Sequence, residues 1–194
     1  MDEKYIHVGN KHGYDLNAID SKTKYVLAHS YVVERSFQNC VSFLRQIKET
    51  CYEQILETYE KEKHKPTKKR KHITFVSDGF ENYRTSFNKL FYRTCKIVFG
   101  VPIACKKYGL KHNNNAIERY NGKIKDRTKN MRDFGNHEGA ESFLNLRHII
   151  HNFVNPHQGL KDKTPAEAAN IDLRLERKKL LNLIKWVATR VPER

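Results

Sequence analysis

The apolar and polar positions follow one spacing at the start of the chain and another after it. Up to about residue 33 the period is two, the spacing that sends successive side chains to opposite faces of a strand. Residues 2–8, DEKYIHV, predict a first strand, followed by a polar turn over Gly9 to Gly13. Tyr14, Leu16 and Ala18 then alternate with Asp15, Asn17 and Ile19, which predicts a half-buried second strand over 14–20. A turn at Ser21 to Thr23 leads into a third strand over 24–33, rich in β-branched and aromatic residues. Three strands with short polar turns predict an antiparallel meander.

From Ser36, a plausible N-cap, the spacing becomes helical. Phe37, Cys40, Val41, Leu44, Ile47, Cys51, Ile55 and Tyr59 form one stripe, the core-facing side of a long helix. Residues 73–77, ITFVS, predict a short buried strand ending at Asp78-Gly79, and a helix over about 81–91 follows. Residues 95–101 predict a fifth strand, 102–113 a basic loop, and the stretch after it a helix. A further helix over 137–154 carries Phe143, Leu146, Ile150 and Phe153 on one side and stops at Asn155-Pro156. Thr164-Pro165-Ala166-Glu167 has the spacing of a capping box with proline at the first helical position. A last basic helix over 173–190 points Leu180, Ile184 and Val187 inward. The order β-β-β-α-β-α-β-α-α-α predicts an α/β fold: a mixed five-stranded sheet, the meander plus two parallel strands, with helices on both faces.

Composition changes this picture in one respect. The 194 residues hold 37 Lys and Arg against 22 Asp and Glu, a net charge of +15. An excess that large points to a polyanionic partner, most often nucleic acid. No apolar run approaches the ~20 residues of a membrane span, and MDEKYIHV has no signal-peptide character, so a cytoplasmic, nucleoid-associated protein without a membrane partner is expected. Cys40, Cys51, Cys95 and Cys105 form no CxxC pair and read as reduced. The charge run Lys61 to His72 reads as a solvated loop.

Candidate chemistry concentrates on three acids. On the helix within residues 113–132, Glu118, Asn121, Gly122 and Lys125 share a face at ~3.6 residues per turn. Ile117 and Ile124 lie one residue to the side and can anchor the helix on a core. Asp78 stands at the carboxyl end of the buried fourth strand, where ligands of open α/β sheets gather. Asp2 lies in the first strand. Carboxylates that converge repel one another and call for cations, and Mg²⁺ prefers oxygen ligands. In a basic protein such a group suits two-metal phosphoryl transfer. His148 and His151, three apart on one helix, have no HExxH pattern and read as surface or satisfied core residues.

These segments resemble the catalytic domain of prokaryotic insertion-sequence transposases of the DDE class, which have the ribonuclease-H-like core of retroviral integrases. DEKYIHV with YDLNAIDSKTKYVLAH resembles the opening strands; ITFVSDGFENY resembles the strand with the second acid. NNNAIERYNGKIKDRTKNMRDF resembles the third-acid helix; Asn152, Pro156, His157, Leu160 and TPAEAA resemble the closing segment. The resemblance implies a ribonuclease-H-like domain over 1–170, with 171–194 a basic C-terminal helix. It implies Asp2, Asp78 and Glu118 as catalytic ligands of two Mg²⁺ or Mn²⁺ ions. It also implies Lys125, Arg119 and Asn114 as DNA contacts. DNA cleavage and strand transfer by a homodimer or larger assembly on transposon ends would follow. No helix-turn-helix precedes Asp2, so an N-terminally truncated or separated catalytic domain is expected, the alternative being an inactive DNA-binding remnant.

Overall fold

The computed structural model describes residues 1–99, 115–129, 131 and 133–190. β1 (Asp2–Val8), β2 (Lys11–Ile19) and β3 (Val26–Val32) form the predicted antiparallel meander in the order β1-β2-β3. Asp2 pairs with Asn17 and Val8 with Lys11, so the first turn is tighter than the polar run suggests. Gly9 takes a left-handed φ of 53° there, a conformation open to residues without a Cβ. β4 (Thr74–Ser77) and β5 (Lys96–Phe99) pair in parallel.

The expected single five-stranded sheet is therefore corrected. Among the described residues the strands form a three-stranded and a two-stranded ladder. β4 is only four residues long, and the link beside it comes from the residue ahead of β1: the Met1 nitrogen donates to the Val76 carbonyl at 2.5 Å.

Helices cover both faces of the meander. α1 (Phe37–Glu62) starts as expected, with the Ser36 hydroxyl accepting from the Asn39 N–H at 3.2 Å. α1 and α2 (Glu81–Phe91) pack on one face, where Leu16, Ala28, Phe43, Leu44, Ile47, Phe75, Tyr83, Phe87 and Phe91 form the larger core. α3 (Asn115–Thr128) and α4 (His137–Ile149) cover the other with Ile6, Val8, Val26, Ile117, Tyr120, Ile124, Ala140 and Leu144. Ile117 and Ile124 anchor α3 as their spacing suggests. With both faces covered, β2 is not half-buried: Asp15 and Asn17 are fully enclosed, on the side opposite Leu16.

Two helices turn a different side inward than their apolar stripes suggest. In α4 the buried positions are Ala140, Leu144 and His148, while Leu146 is 52% exposed. The helix ends at Ile149 and continues as a π-helical turn over Ile150–Val154, which buries His151 and Asn152. These polar groups have partners on β3 and the turn before it. Asn152 Oδ1 accepts from Val26 N–H (2.9 Å), its Nδ2 donates to Val26 C=O (3.0 Å), and His151 Nε2 lies 2.9 Å from Lys24 C=O. Their polar contacts select the buried side.

The capping box at Thr164 forms as predicted and starts the short α5 (Pro165–Ala168). α6 spans only Lys179–Ala188, because Arg174 and Glu176 take left-handed φ values of 53° and 51° ahead of it. Lys179 pairs with Glu167, and Asn182 donates to the Leu175 carbonyl at 2.7 Å. These tethers turn Leu183 inward and leave Leu180, Ile184 and Val187 at 45%, 58% and 45% exposure, the reverse of the expected orientation.

Candidate active site

The beginning of β1 and the end of β4 bring acids together. One carboxylate oxygen each from Asp2, Glu3 and Asp78 lies within 4.8 Å of the others. Asp78 follows the last residue of β4, and its Oδ1 accepts from the Ser77 hydroxyl (3.2 Å) and the Phe80 N–H (3.4 Å). Gly79 turns the chain there with φ 106°, so the carboxylate caps a sharp strand-to-helix corner. Asp78 is exposed, while Asp2 and Glu3 are half-buried.

Burial, followed by the Asp78 charge, raises the Asp2 carboxyl above its ordinary range. The same two causes raise Glu3, against the opposing pull of Arg35. Arg35 pairs with Glu3 Oε1, while Glu3 Oε2 is buried without a hydrogen-bond partner. Hard oxygen donors that repel one another, with a desolvated oxygen left over, fit a divalent cation of the Mg²⁺ kind.

α3 reaches this group through an amide. Asn121 Nδ2 donates to Asp2 Oδ2 at 2.9 Å. Glu118 lies one turn earlier on α3, exposed, and is not a member of the three-carboxylate group. Lys125 lies one turn after Asn121 and is exposed, as is Arg119. Asn114 and the basic loop expected over 102–113 fall outside the described residues, as does Cys105. Cys40, Cys51 and Cys95 are free thiols, and burial pushes Cys40 and Cys95 up to about 11, far from a nucleophile's range.

Behind Asn121 runs a polar network that periodicity does not reveal. Asn17 Nδ2 lies 3.3 Å from Asn121 Oδ1 and donates to Asp15 Oδ2 at 2.9 Å. Asp15 meets His29 Nδ1 at 2.8 Å and His148 Nε2 at 3.7 Å. The two imidazoles stack with centroids 3.7 Å apart, and His148 Nδ1 lies 2.5 Å from the Tyr120 hydroxyl of α3. Burial pushes Asp15 up, but hydrogen bonds and charge from His148 and His29 hold it below its ordinary value. Burial pushes His29 down, and Asp15 raises it above its ordinary value. For His148 burial prevails and lowers it. His148 is thus a buried partner of a carboxylate, which only the fold reveals.

Glu3 and Asp15 were not singled out in the sequence. Glu3 stands next to Asp2, and strand alternation assigns the two to opposite faces; Asp78 at the corner comes within reach of both. Asp15 sits in the polar half of an alternating strand, and no local signal distinguishes a solvated polar face from one buried against histidines.

Among the described residues no helix is long and apolar enough to cross a membrane. The chain matches no protein-family model and no curated protein sequence. Solved structures that it resembles in shape include the following three. One is a chain of the simian T-cell lymphotropic virus intasome (12% identity, TM-score 0.48, 86% of this chain, 52% of that one), so this chain spans about half its length. The second is the HTLV-2 integrase catalytic core domain in complex with magnesium, in its dimeric form (12%, 0.46, 84% and 90%). The third is the catalytic core domain of BIV integrase (15%, 0.47, 92% and 96%).

Proposed function

We propose that this chain is the catalytic domain of a DDE-class DNA transposase, a polynucleotidyl transferase of ribonuclease-H-like architecture, with residues 1–170 as the catalytic unit and 171–194 as a basic appendage. The observation that carries the reading is the meeting of Asp2 and Asp78, from the ends of two strands, beside a helix tied to Asp2 through Asn121. Glu118 rides on that helix one turn ahead and is the third ligand in this reading. The net charge of +15 supports a DNA partner.

Asp2, Asp78 and Glu118 would hold two Mg²⁺ or Mn²⁺ ions. Ions bound there would stabilise charge on the attacking and leaving oxygens of an in-line displacement. The chain's own groups prepare that site. Asn121 fixes the rotamer of Asp2 through its amide N–H. Arg35 partly offsets the charge of Glu3 so that the acids can remain close. Lys125, Arg119 and Asn114 are the proposed phosphate contacts. In the first step a water oxygen bonds to phosphorus, the bond to the 3′-oxygen breaks, and the departing oxygen takes a proton to become a free 3′-hydroxyl. In the second, that hydroxyl loses its proton, bonds to a target phosphorus and displaces the target's 3′-oxygen. Paired ends call for at least a dimer.

A second reading, a DNA-binding remnant without catalysis, is favoured by one observation: Glu118 stands outside the carboxylate group. The two separate in a nicking assay on supercoiled DNA with Mg²⁺ or Mn²⁺. The enzyme nicks, and Asp78→Asn stops nicking while leaving the melting transition and DNA binding in place. Equal nicking by Asp78→Asn refutes the site. A wild-type protein that binds DNA in a salt-dependent manner yet never cuts is the remnant.

A further inference from the structure

The hairpin end of the meander is not covered by α1, and it shows a group of rings that the proposed chemistry does not use. Tyr5 and Tyr14 stand opposite each other in the β1–β2 ladder, and so do His7 and His12. Tyr5 stacks on His12 (centroids 4.8 Å apart, planes 21° apart) and meets His7 and Tyr14 edge-on at 4.9 and 5.7 Å. Cross-strand aromatic pairs stabilise hairpins, which accounts for their pairing but not for their exposure. Tyr5 is 42% exposed, and both histidines are open to solvent.

Two contacts tie these rings to their surroundings. Arg35, which pairs with Glu3 of the carboxylate group, lays its guanidinium over Tyr14 at 4.6 Å and over Phe80 at 4.7 Å. Glu3 and Tyr5 lie on the same side of β1, two residues and so roughly 7 Å apart along the strand. The platform thus begins about one nucleotide's reach from the acids. On its other flank lies a cleft of about 430 Å³ between β1 and the end of α3, lined by Lys4, Tyr5, His7, Lys125 and Lys129, with one acid, Asp133. Tyr5 and His7 belong to both cleft and platform. Three ammonium groups face the cleft and exposed rings stand at its rim, the pairing that single-strand binders use: cations for the phosphates and rings for the bases.

We propose that Tyr5 and His12, braced by His7 and Tyr14, form a stacking platform for an unpaired nucleobase of a single strand whose phosphates follow the lysine cleft to the carboxylate group. This rests on the nucleic-acid partner proposed above and adds how that partner is held. Stacking is indifferent to base identity, so the platform reads strandedness rather than sequence.

The test is equilibrium binding of the full chain, by fluorescence anisotropy in EDTA, to a single strand of about 12 nucleotides, within the footprint of single-strand binders. A second strand of equal length has abasic sites in place of its bases. Tyr5→Leu keeps apolar bulk over the hairpin and removes the ring; its folding is checked by thermal melting. The normal strand should bind Tyr5→Leu roughly 5- to 150-fold more weakly than wild type, the range of one lost base stack. The abasic strand should bind both proteins equally, and Tyr5→Phe should restore wild-type affinity. Equal affinity of Tyr5→Leu and wild type for the normal strand overturns the platform, as does an equal loss on both strands. Since the assay holds no divalent ion and reads no cleavage, either outcome leaves the transferase reading to the nicking test, whose failure in turn leaves the platform to this one.

Discussion

Two carboxylate groups lie on either side of Asn121, and they are built on opposite principles. At Asp2, Glu3 and Asp78 an acid finds other acids, with one guanidinium at the edge. At Asp15 an acid finds two imidazoles and an amide, with only His29 partly open to solvent. Asp2 and Glu3 in the first group are raised in pKa and half-buried, whereas Asp15 in the second is lowered and fully enclosed. A carboxylate compensated by its own chain is finished as structure. One crowded by like charge still needs a cation from outside. Both groups place three metal-capable side chains within 4.8 Å, so distance alone does not tell them apart; the sign of the surroundings does.

Catalysis offers the largest test of this contrast. Asp78→Asn should lower nicking about 10³-fold or more, the scale on which essential groups act, whereas the conservative His29→Gln should leave the rate within a few-fold. Stability should respond in the reverse manner. Asp15→Ala leaves His29 without its counter-charge and His148 without its buried polar partner, and should cost about 3–5 kcal/mol in urea unfolding. Asp78→Asn should cost nothing or stabilise, because it relieves repulsion.

The pH dependence sharpens the same contrast. Asp2 and Glu3 have raised folded values, so their contribution is present in acid and is lost as pH rises through those values. Asp15, depressed below 3.8, contributes above that pH, and the contribution is lost as pH falls through its folded value. His29, raised above 6.5, contributes below that pH and ceases to as pH rises through its folded value. Asp78→Asn should therefore flatten the decline in melting temperature as pH rises above the ordinary carboxylate range, and His29→Gln should not. At neutral pH a divalent ion at ~100 times its dissociation constant should add about 2.7 kcal/mol to wild type. It should add almost nothing to Asp78→Asn, and a full gain there would place the ion elsewhere. The smallest expected effect is that of Asn121→Ala, about 1–2 kcal/mol, from unpairing Asn17 and freeing Asp2. Calorimetric metal titration should show weaker binding in that variant, and an unchanged titration would remove Asn121 from the site.

Much of this architecture was readable in the chain. The meander, the Ser36 cap, the Thr164 capping box and the corner at Asp78 are set by local patterns acting over a few residues. The failures share a cause. β2 reads as half-buried because Asp15 and Asn17 are polar, yet they are buried against residues more than a hundred positions away, His148 and Asn121. α4 reads as facing inward through Leu146, but His148, His151 and Asn152 displace that side because each finds a partner on the meander or the turn before β3. α6 is apolar on more than one side, and two tethers outside the stripe choose between them. Apolar periodicity records what shuns water and is silent on polar groups that long-range partners draw inside. At the candidate site, Asp2, Asp78 and Glu118 stand out in the sequence by their places on strands and helix and by resemblance, whereas Glu3 and Asn121's bond to Asp2 need the third dimension.

Asn152 has a consequence beyond fixing α4. β3 is an outer strand of the meander, and an outer strand with free N–H and C=O groups can recruit another chain. The Asn152 amide satisfies both groups of Val26 at once, as a neighbouring strand would, and ends there. One side chain thus closes this stretch of the ladder to further strands, a block on edge-to-edge association that costs the fold no extra strand.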